Sequence, residues 1–283
     1  MSENRIPKTI YMLWDKPRPL WPGSVELCVD LWTALNPGWN VTVLDGGQLE
    51  QILRRDFPGK VLIPMSVQMK SDLLRLKLLS EKGGVWADAT CLPLKPMFKW
   101  FGPCAHLDFA APGFDHLRET GQTHPQGRDY GNWFIASKKG SYVASRLYQR
   151  LQEFFDRPRF ALPYAEPLQT HIAAHWRDFI GPSADQLSVF PYHTMHYLTA
   201  REIEADSKFR KLVLQSAVPA GVYNYVMKRM AYPQMSPKQI EEVSRFLRNA
   251  PVPINKLDWK IKHEPDWGFV RDILWQKRPG ASA

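Results

Sequence analysis

The 283-residue sequence has no apolar run of the roughly 20 residues that a membrane-spanning helix needs, which excludes a helical integral membrane protein. Its opening, Met1-Ser2-Glu3-Asn4-Arg5, is polar and lacks the apolar stretch of a secretory signal, so the expected location is cytoplasmic. Cysteine is scarce. Cys28, Cys91 and Cys104 are odd in number and have no metal-ligand spacing, which points to reduced thiols in a reducing compartment. The excess of positive charge, 37 Lys and Arg against 28 Asp and Glu, comes without a basic block or a recognisable nucleic-acid module. Nucleic acid is therefore not expected as a partner, whereas phosphates, anionic lipid or acidic polymers suit the charge. Internal repeats and low-complexity tracts are also absent.

Hydrophobic residues at 44% and charged residues at 23% are in globular proportion, which excludes a disordered or fibrous chain. Aromatic residues reach 12%, with 11 Trp, enough for a core and a stacking or sugar-binding surface. The 24 prolines argue for a loop-rich protein over a helical bundle. Strands are predicted at residues 9–13, 41–44, 85–89, 109–111 and 133–136, and helices at 26–35, 48–54 and 68–82. This order points to a parallel or mixed α/β sheet in the first half. The second half is predicted mainly helical, with helices at 142–155 and 167–177, after a boundary near residue 155. Ser236-Pro237-Lys238-Gln239 forms a further helix start, with Ser as N-cap and Gln three residues on.

At about 100° per residue, Lys70, Lys77 and Glu81 share one side of the 68–82 helix, while Asp72 and Arg75 fall opposite, among Leu76 and Leu79. Charges on an inward face are costly unless paired or facing a cleft. A structural Asp72–Arg75 ion pair and a polar site wall fit this spacing equally. Gly83-Gly84 stop the helix, and the next strand carries Asp88 at its carboxyl end, where α/β sheets bind ligands. There Asp88 either holds a divalent ion that bridges a diphosphate or caps the loop before Pro93. Asp-x-Thr alone is weak; with Ser-Asp-x-x-Arg and Gly-Gly upstream at this spacing the signal becomes strong.

Lys70-Ser71-Asp72-Leu73-Leu74-Arg75 and Gly83-Gly84-Val85-Trp86-Ala87-Asp88-Ala89-Thr90 together resemble the signature of the glycosyltransferases with a DXD sugar-binding region. More closely, they resemble the bacterial capsular polysaccharide synthesis proteins, whose motif ends Asp-Ala-Thr. Ile6 to Asp15, Asn132 to Ser137 and Pro253 to Lys260 resemble the opening, central and C-terminal segments of that family. The resemblance implies an α/β, Rossmann-like GT-A fold with a mainly helical C-terminal part. Residues 1–155 would form the nucleotide-sugar half and 156–283 the acceptor-side half of one catalytic unit. It implies transfer of a sugar from a nucleotide-diphosphate donor, usually a UDP-sugar, with retention and with Mn²⁺ or Mg²⁺ as cofactor. The acceptor would be a saccharide or lipid-linked saccharide of a capsule or similar surface polysaccharide. Carried over by residue, Trp14 matches the aromatic that stacks on the base, and Asp72 and Arg75 match contacts to donor sugar and phosphates. Asp88 matches the first Asp of the motif, with a catalytic and metal-binding role. Asn132 is a candidate catalytic and donor-binding residue, Lys256 a donor contact and Asn255 a metal contact.

Two departures stand out. Thr90 replaces the second Asp, and Asn255 stands where relatives have His. Either the ion is loosely held, or Lys256 and other cations neutralise the diphosphate instead. The missing Asp motivates an alternative, a non-catalytic nucleotide- or sugar-binding partner in a polysaccharide assembly complex. A nucleotidyltransferase is disfavoured, because Trp14-Asp15-Lys16-Pro17-Arg18-Pro19 after the first strand has no Gly. His193 and His196 are expected on a strand or loop, as surface or hydrogen-bonded residues rather than metal ligands. The basic, Trp-bearing tail from Trp267 to Arg278 either packs on the domain or lies on an anionic membrane from the cytoplasmic side.

Overall fold

The structure, a computed structural model, describes residues 5–56, 66–124, 129–155, 193–216, 218–219, 235–250, 252–257 and 267–280. The first half contains β1 (Thr9–Leu13), α1 (Gly23–Leu35), β2 (Asn40–Leu44), α2 (Gly46–Asp56), α3 (Val67–Glu81), β3 (Gly84–Ala87) and β4 (Cys91–Pro93). β5 (Phe109–Ala110), α4 (Asp115–Thr120), β6 (Phe134–Ser137) and α5 (Tyr142–Phe155) follow. The later part supplies α6 (Thr194–Ala205), α7 (Ser207–Leu214), α8 (Pro237–Arg248), β7 (Ile254–Lys256) and α9 (Trp267–Trp275). The helix expected at 167–177 lies outside the described residues.

Five strands form a mixed sheet in the order β2-β1-β3-β6-β5. β1 lies parallel to both β2 and β3, whereas β6 runs antiparallel to β3 and β5. Period-two alternation splits the strands between two cores. Tyr11, Leu13, Trp86, Phe109 and Ile135 face a layer that includes α3, α5 and α6. Ile10, Met12, Val85, Ala87, Phe134 and Ala136 face the layer of α1. With both faces covered, the central strands β3 and β6 are buried along their length, whereas β2 at the edge is only partly buried. The expected α/β class is the one observed.

The turn into β3 depends on glycine. Gly83 has φ +67°, and a Cβ there would lie 2.4 Å from the Lys139 backbone nitrogen. α3 therefore closes in a left-handed residue pressed against the loop after β6. Ser236 caps α8 with a complete capping box, in which Ser236 Oγ accepts from the Gln239 N–H and Gln239 Oε1 from the Ser236 N–H.

The basic tail segment is α9. Its Trp267, Val270, Ile273 and Leu274 are buried in one cluster with Leu27 and Leu31 of α1 and Val243 and Leu247 of α8. That apolar stripe is spent inside the fold, the packing alternative of the two expected for it. Among the described residues no helix is long and apolar enough to cross a membrane. Cys28, Cys91 and Cys104 are all buried.

Candidate active site

The parallel register Ile10↔Val85 and Tyr11↔Trp86 brings the carboxyl ends of β1 and β3 to one edge of the sheet. Trp14 leaves β1 there and Asp88 leaves β3. Trp86 points to the α3 layer, and Asp88, two residues on, leans the same way. The Asp88 N–H donates to the Trp133 carbonyl (2.8 Å), and the Asp88 carbonyl accepts from the Cys91 N–H (2.8 Å). These bonds fold Asp88-Ala89-Thr90-Cys91 into a tight turn at the mouth of the sheet. β7 then pairs with β4 in the register Cys91↔Lys256, and the Leu257 N–H donates to the Thr90 carbonyl (2.9 Å). The C-terminal part of the chain thus delivers Lys256 to the turn through backbone pairing.

One ionic network joins these pieces. Arg75 Nη1 donates to Asp72 Oδ1 (2.6 Å) and Arg75 Nη2 to Asp88 Oδ1 (3.0 Å). Trp86 Nε1 donates to the same Asp88 oxygen (2.9 Å), and the Arg75 guanidinium lies 5.0 Å from the Trp86 ring centre. Lys256 Nζ donates to Asp88 Oδ2 (2.7 Å) and to Thr90 Oγ1 (2.7 Å). Asn132 Nδ2 donates to Asp72 Oδ1 (3.3 Å). The ion pair that the helix spacing allowed is present, and it extends through Asp88 to Lys256.

The network has a floor and a mouth. The side chains of Arg75 and Asp72 are 4% and 11% exposed, those of Lys256 and Asp88 23% and 27%. Burial is the main reason the Asp72 carboxyl is pushed up to about 6; the Asp88 charge adds to this and Arg75 opposes it. Burial alone would raise Asp88 too, but Lys256 and then Arg75 outweigh it, and the carboxyl is held below its usual range. The Lys256 ammonium is held above its usual range, because Asp88 outweighs the effect of burial. At neutral pH the cluster holds two carboxylates against two cations. Among the described residues, Arg75 Nε has no hydrogen-bond partner, so the guanidinium keeps one N–H unspent.

Asp72, Arg75, Asp88, Asn132 and Lys256 are thus brought together. Trp14 stands on the same carboxyl edge one strand over, half-buried, and no hydrogen bond among the described residues joins it to the network. Asn255 is fully buried in β7, and strand alternation turns it to the face opposite Lys256, away from the Asp88 turn. The expectation that Asn255 and Asp88 share an ion does not fit that placement. Both Asp88 oxygens already accept donors, Thr90 accepts from Lys256, and Asp72 is bound to Arg75. Among the described residues no group of three or more His, Cys, Asp or Glu is placed to hold a metal. As they stand among the described residues, these donors do not make a divalent-ion site.

Two contributors carried no assignment from sequence. Trp86 supports both Arg75 and Asp88, and its x+2 spacing from Asp88 on a strand was the available signal. Met195 Sδ lies 3.9 Å from Arg75 Nη1, reaching the floor from α6, and nothing local in the sequence marks it. His196 is buried in α6, with Nε2 3.2 Å from the Tyr130 carbonyl oxygen, so this segment is a helix rather than a strand or loop. The His hydrogen bond itself was expected.

Two solved structures resemble the chain over most of its length. The PaToxG glycosyltransferase is 15% identical over 86% of this chain and 85% of that one, with a TM-score of 0.38. The UDP-bound glycosyltransferase domain from the YGT toxin is 9% identical over 87% and 90%, with a TM-score of 0.42. No curated protein matches the chain in sequence. Residues 1–165, more than half of the chain and including β1, α3, β3 and the Asp88 turn, match the family described as capsular polysaccharide synthesis protein, and the chain belongs to that family.

Proposed function

We propose that the chain is a glycosyltransferase that moves a sugar from a nucleoside-diphosphate donor, a UDP-sugar by its family resemblance, to a saccharide or lipid-linked saccharide acceptor of a surface polysaccharide. The observation that carries this reading is the Asp72–Arg75–Asp88–Lys256 network at the carboxyl edge of parallel strands. Two cations held there by carboxylates suit a diphosphate, since guanidinium grips phosphate oxygens in pairs and ammonium supplies a compact charge. Membership of a polysaccharide synthesis family supports the same direction.

In this reading residues 1–155, joined by Lys256, carry the donor and the rest of the later part lines the acceptor side. The Trp14 indole stacks on the base. Arg75 and Lys256 take the diphosphate, and the Asn132 amide meets a sugar hydroxyl. The acceptor hydroxyl attacks the anomeric carbon while the bond from that carbon to the diphosphate oxygen breaks. Negative charge grows on the leaving diphosphate, which is where Arg75 and Lys256 already stand, so catalysis is mainly electrostatic. With retention, the departing phosphate oxygen accepts the proton of the acceptor hydroxyl. Asp88 holds the two cations apart and aimed.

The test is nucleotide release from UDP-, GDP- and dTDP-sugars, beside Asp88→Ala. Slow hydrolysis of one donor, lost in the variant with its fold intact, is the expected outcome. Full activity of Asp88→Ala would overturn the assignment of the site. Nucleotide binding without turnover, even with polysaccharide acceptors supplied, would favour a non-catalytic binding partner.

A further inference from the structure

We infer that the Lys256 ammonium occupies the place of a divalent cation at the Asp88–Thr90 turn, so that this site takes its nucleotide without a metal. The inference rests on the donor-site reading above and specifies its chemistry. Lys256 Nζ bridges the first and third residues of the turn, 2.7 Å from Asp88 Oδ2 and 2.7 Å from Thr90 Oγ1. An Mg²⁺ sharing those two oxygens would sit about 2.0–2.1 Å from each, in the space the ammonium fills. Cation and ammonium exclude each other there by volume and by charge.

Among the described residues, the neighbouring oxygens on the guanidinium side are already engaged. Asp88 Oδ1 is taken by Arg75 and by Trp86 Nε1. Asp72 Oδ1 is taken by Arg75 and Asn132. Thr90 brings a neutral hydroxyl where a carboxylate would bring charge. Without nucleotide the cluster is already neutral, with two cations and two carboxylates, so nothing in it draws a divalent ion on its own.

The position of the ammonium is built in. Lys256 sits on a strand, opposite Cys91, and the Leu257 N–H to Thr90 carbonyl bond fixes the register beside it. A lysine on a loose surface loop would pay for such a position in rotamer entropy; here the backbone holds its stem. Because Lys256 is at the mouth of the network, it is the cation a diphosphate meets first, with Arg75 behind it.

The experiment is a pair of titrations on the full chain. UDP and GDP are titrated calorimetrically in EDTA and in millimolar Mn²⁺, and Mn²⁺ alone is titrated while free ion is followed by electron paramagnetic resonance. Lys256→Met is carried through both, with circular dichroism as a fold control. The wild type is expected to bind UDP equally in both buffers and to take up no Mn²⁺. Lys256→Met is expected to bind UDP about tenfold to a hundredfold more weakly in EDTA, the loss of one charge-assisted bond. Uptake of Mn²⁺ by the wild type, or UDP binding that appears only with Mn²⁺, would overturn the inference whether or not the variant folds. Failure of both UDP and GDP to bind in either buffer would overturn the donor-site reading instead. The Mn²⁺ titration needs no nucleotide and still decides the exclusion of the ion.

Discussion

Replacing Arg75 by methionine keeps an unbranched side chain of similar reach and removes two charge-assisted bonds, at 2.6 Å to Asp72 and 3.0 Å to Asp88. Asp88 keeps Lys256 and Trp86, so its charge stays compensated. Asp72 keeps only the Asn132 amide, at 3.3 Å. Breaking a buried pair by removing one partner costs about 3–5 kcal/mol, because the other charge is left without compensation. Here relief is available. Burial already pushes the Asp72 carboxyl up to about 6 against the pull of Arg75, and losing Arg75 raises it further and eases protonation. The expected cost is therefore at the lower end, about 3 kcal/mol, or a fall in melting temperature on the order of 6–10 °C. Adding Asp72→Asn to Arg75→Met is expected to recover part of that loss, with a coupling of about 1–3 kcal/mol between the two positions. Urea denaturation of the wild type, both single variants and the double variant measures all four corners. A cost below about 1 kcal/mol for Arg75→Met, or strict additivity, would show that the pair is solvated and that the network has no dry floor.

The raised Asp72 value gives a pH signature. Ionising this carboxyl is penalised in the folded protein, so the penalty is absent below the unfolded value of 3.8, grows between there and about 6, and is complete above. The stability of the wild type relative to Asp72→Asn is thus expected to rise by about 3 kcal/mol as pH falls from 7 toward 4, and a flat difference would contradict the placement. Trp14→Ala is expected to weaken UDP binding by about 1–3 kcal/mol while Trp14→Phe retains most of it, as base stacking requires; equal losses in calorimetry would remove Trp14 from the base site. Gly83→Ala forces a side chain into a left-handed residue and a Cβ to 2.4 Å from a backbone nitrogen, so thermal unfolding should show a loss of about 2–5 kcal/mol. An unchanged melting temperature would mean that the α3–β3 turn is built differently.

Much of the first half was legible because its signals are local. β1 and α5 fall at the bounds that periodicity gave, and α3 differs by one residue at each end. The inward placing of Asp72 and Arg75 followed from the helical period, and the position of Asp88 at the carboxyl end of a buried strand followed from the strand pattern. The partner strands β4 and β7 were not legible. Each has three residues, too few to show alternation, and they pair across most of the chain. The opposite facing of Asn255 and Lys256 went unseen for that reason, and with it the mismatch of Asn255 to an ion at Asp88. In the segment from His193 to Ala205, aromatics and a preceding Pro suggested extended chain, but tertiary packing against α5 makes it a helix. Met195 reaches Arg75 only through that packing.

The most direct measurement is a crystal structure of the chain with UDP. The diphosphate is predicted beside Lys256 and Arg75 at the carboxyl ends of β1 and β3, with the base on Trp14. UDP bound elsewhere on the protein, with the Asp72–Arg75–Asp88–Lys256 network unchanged and untouched, would contradict the account at its centre.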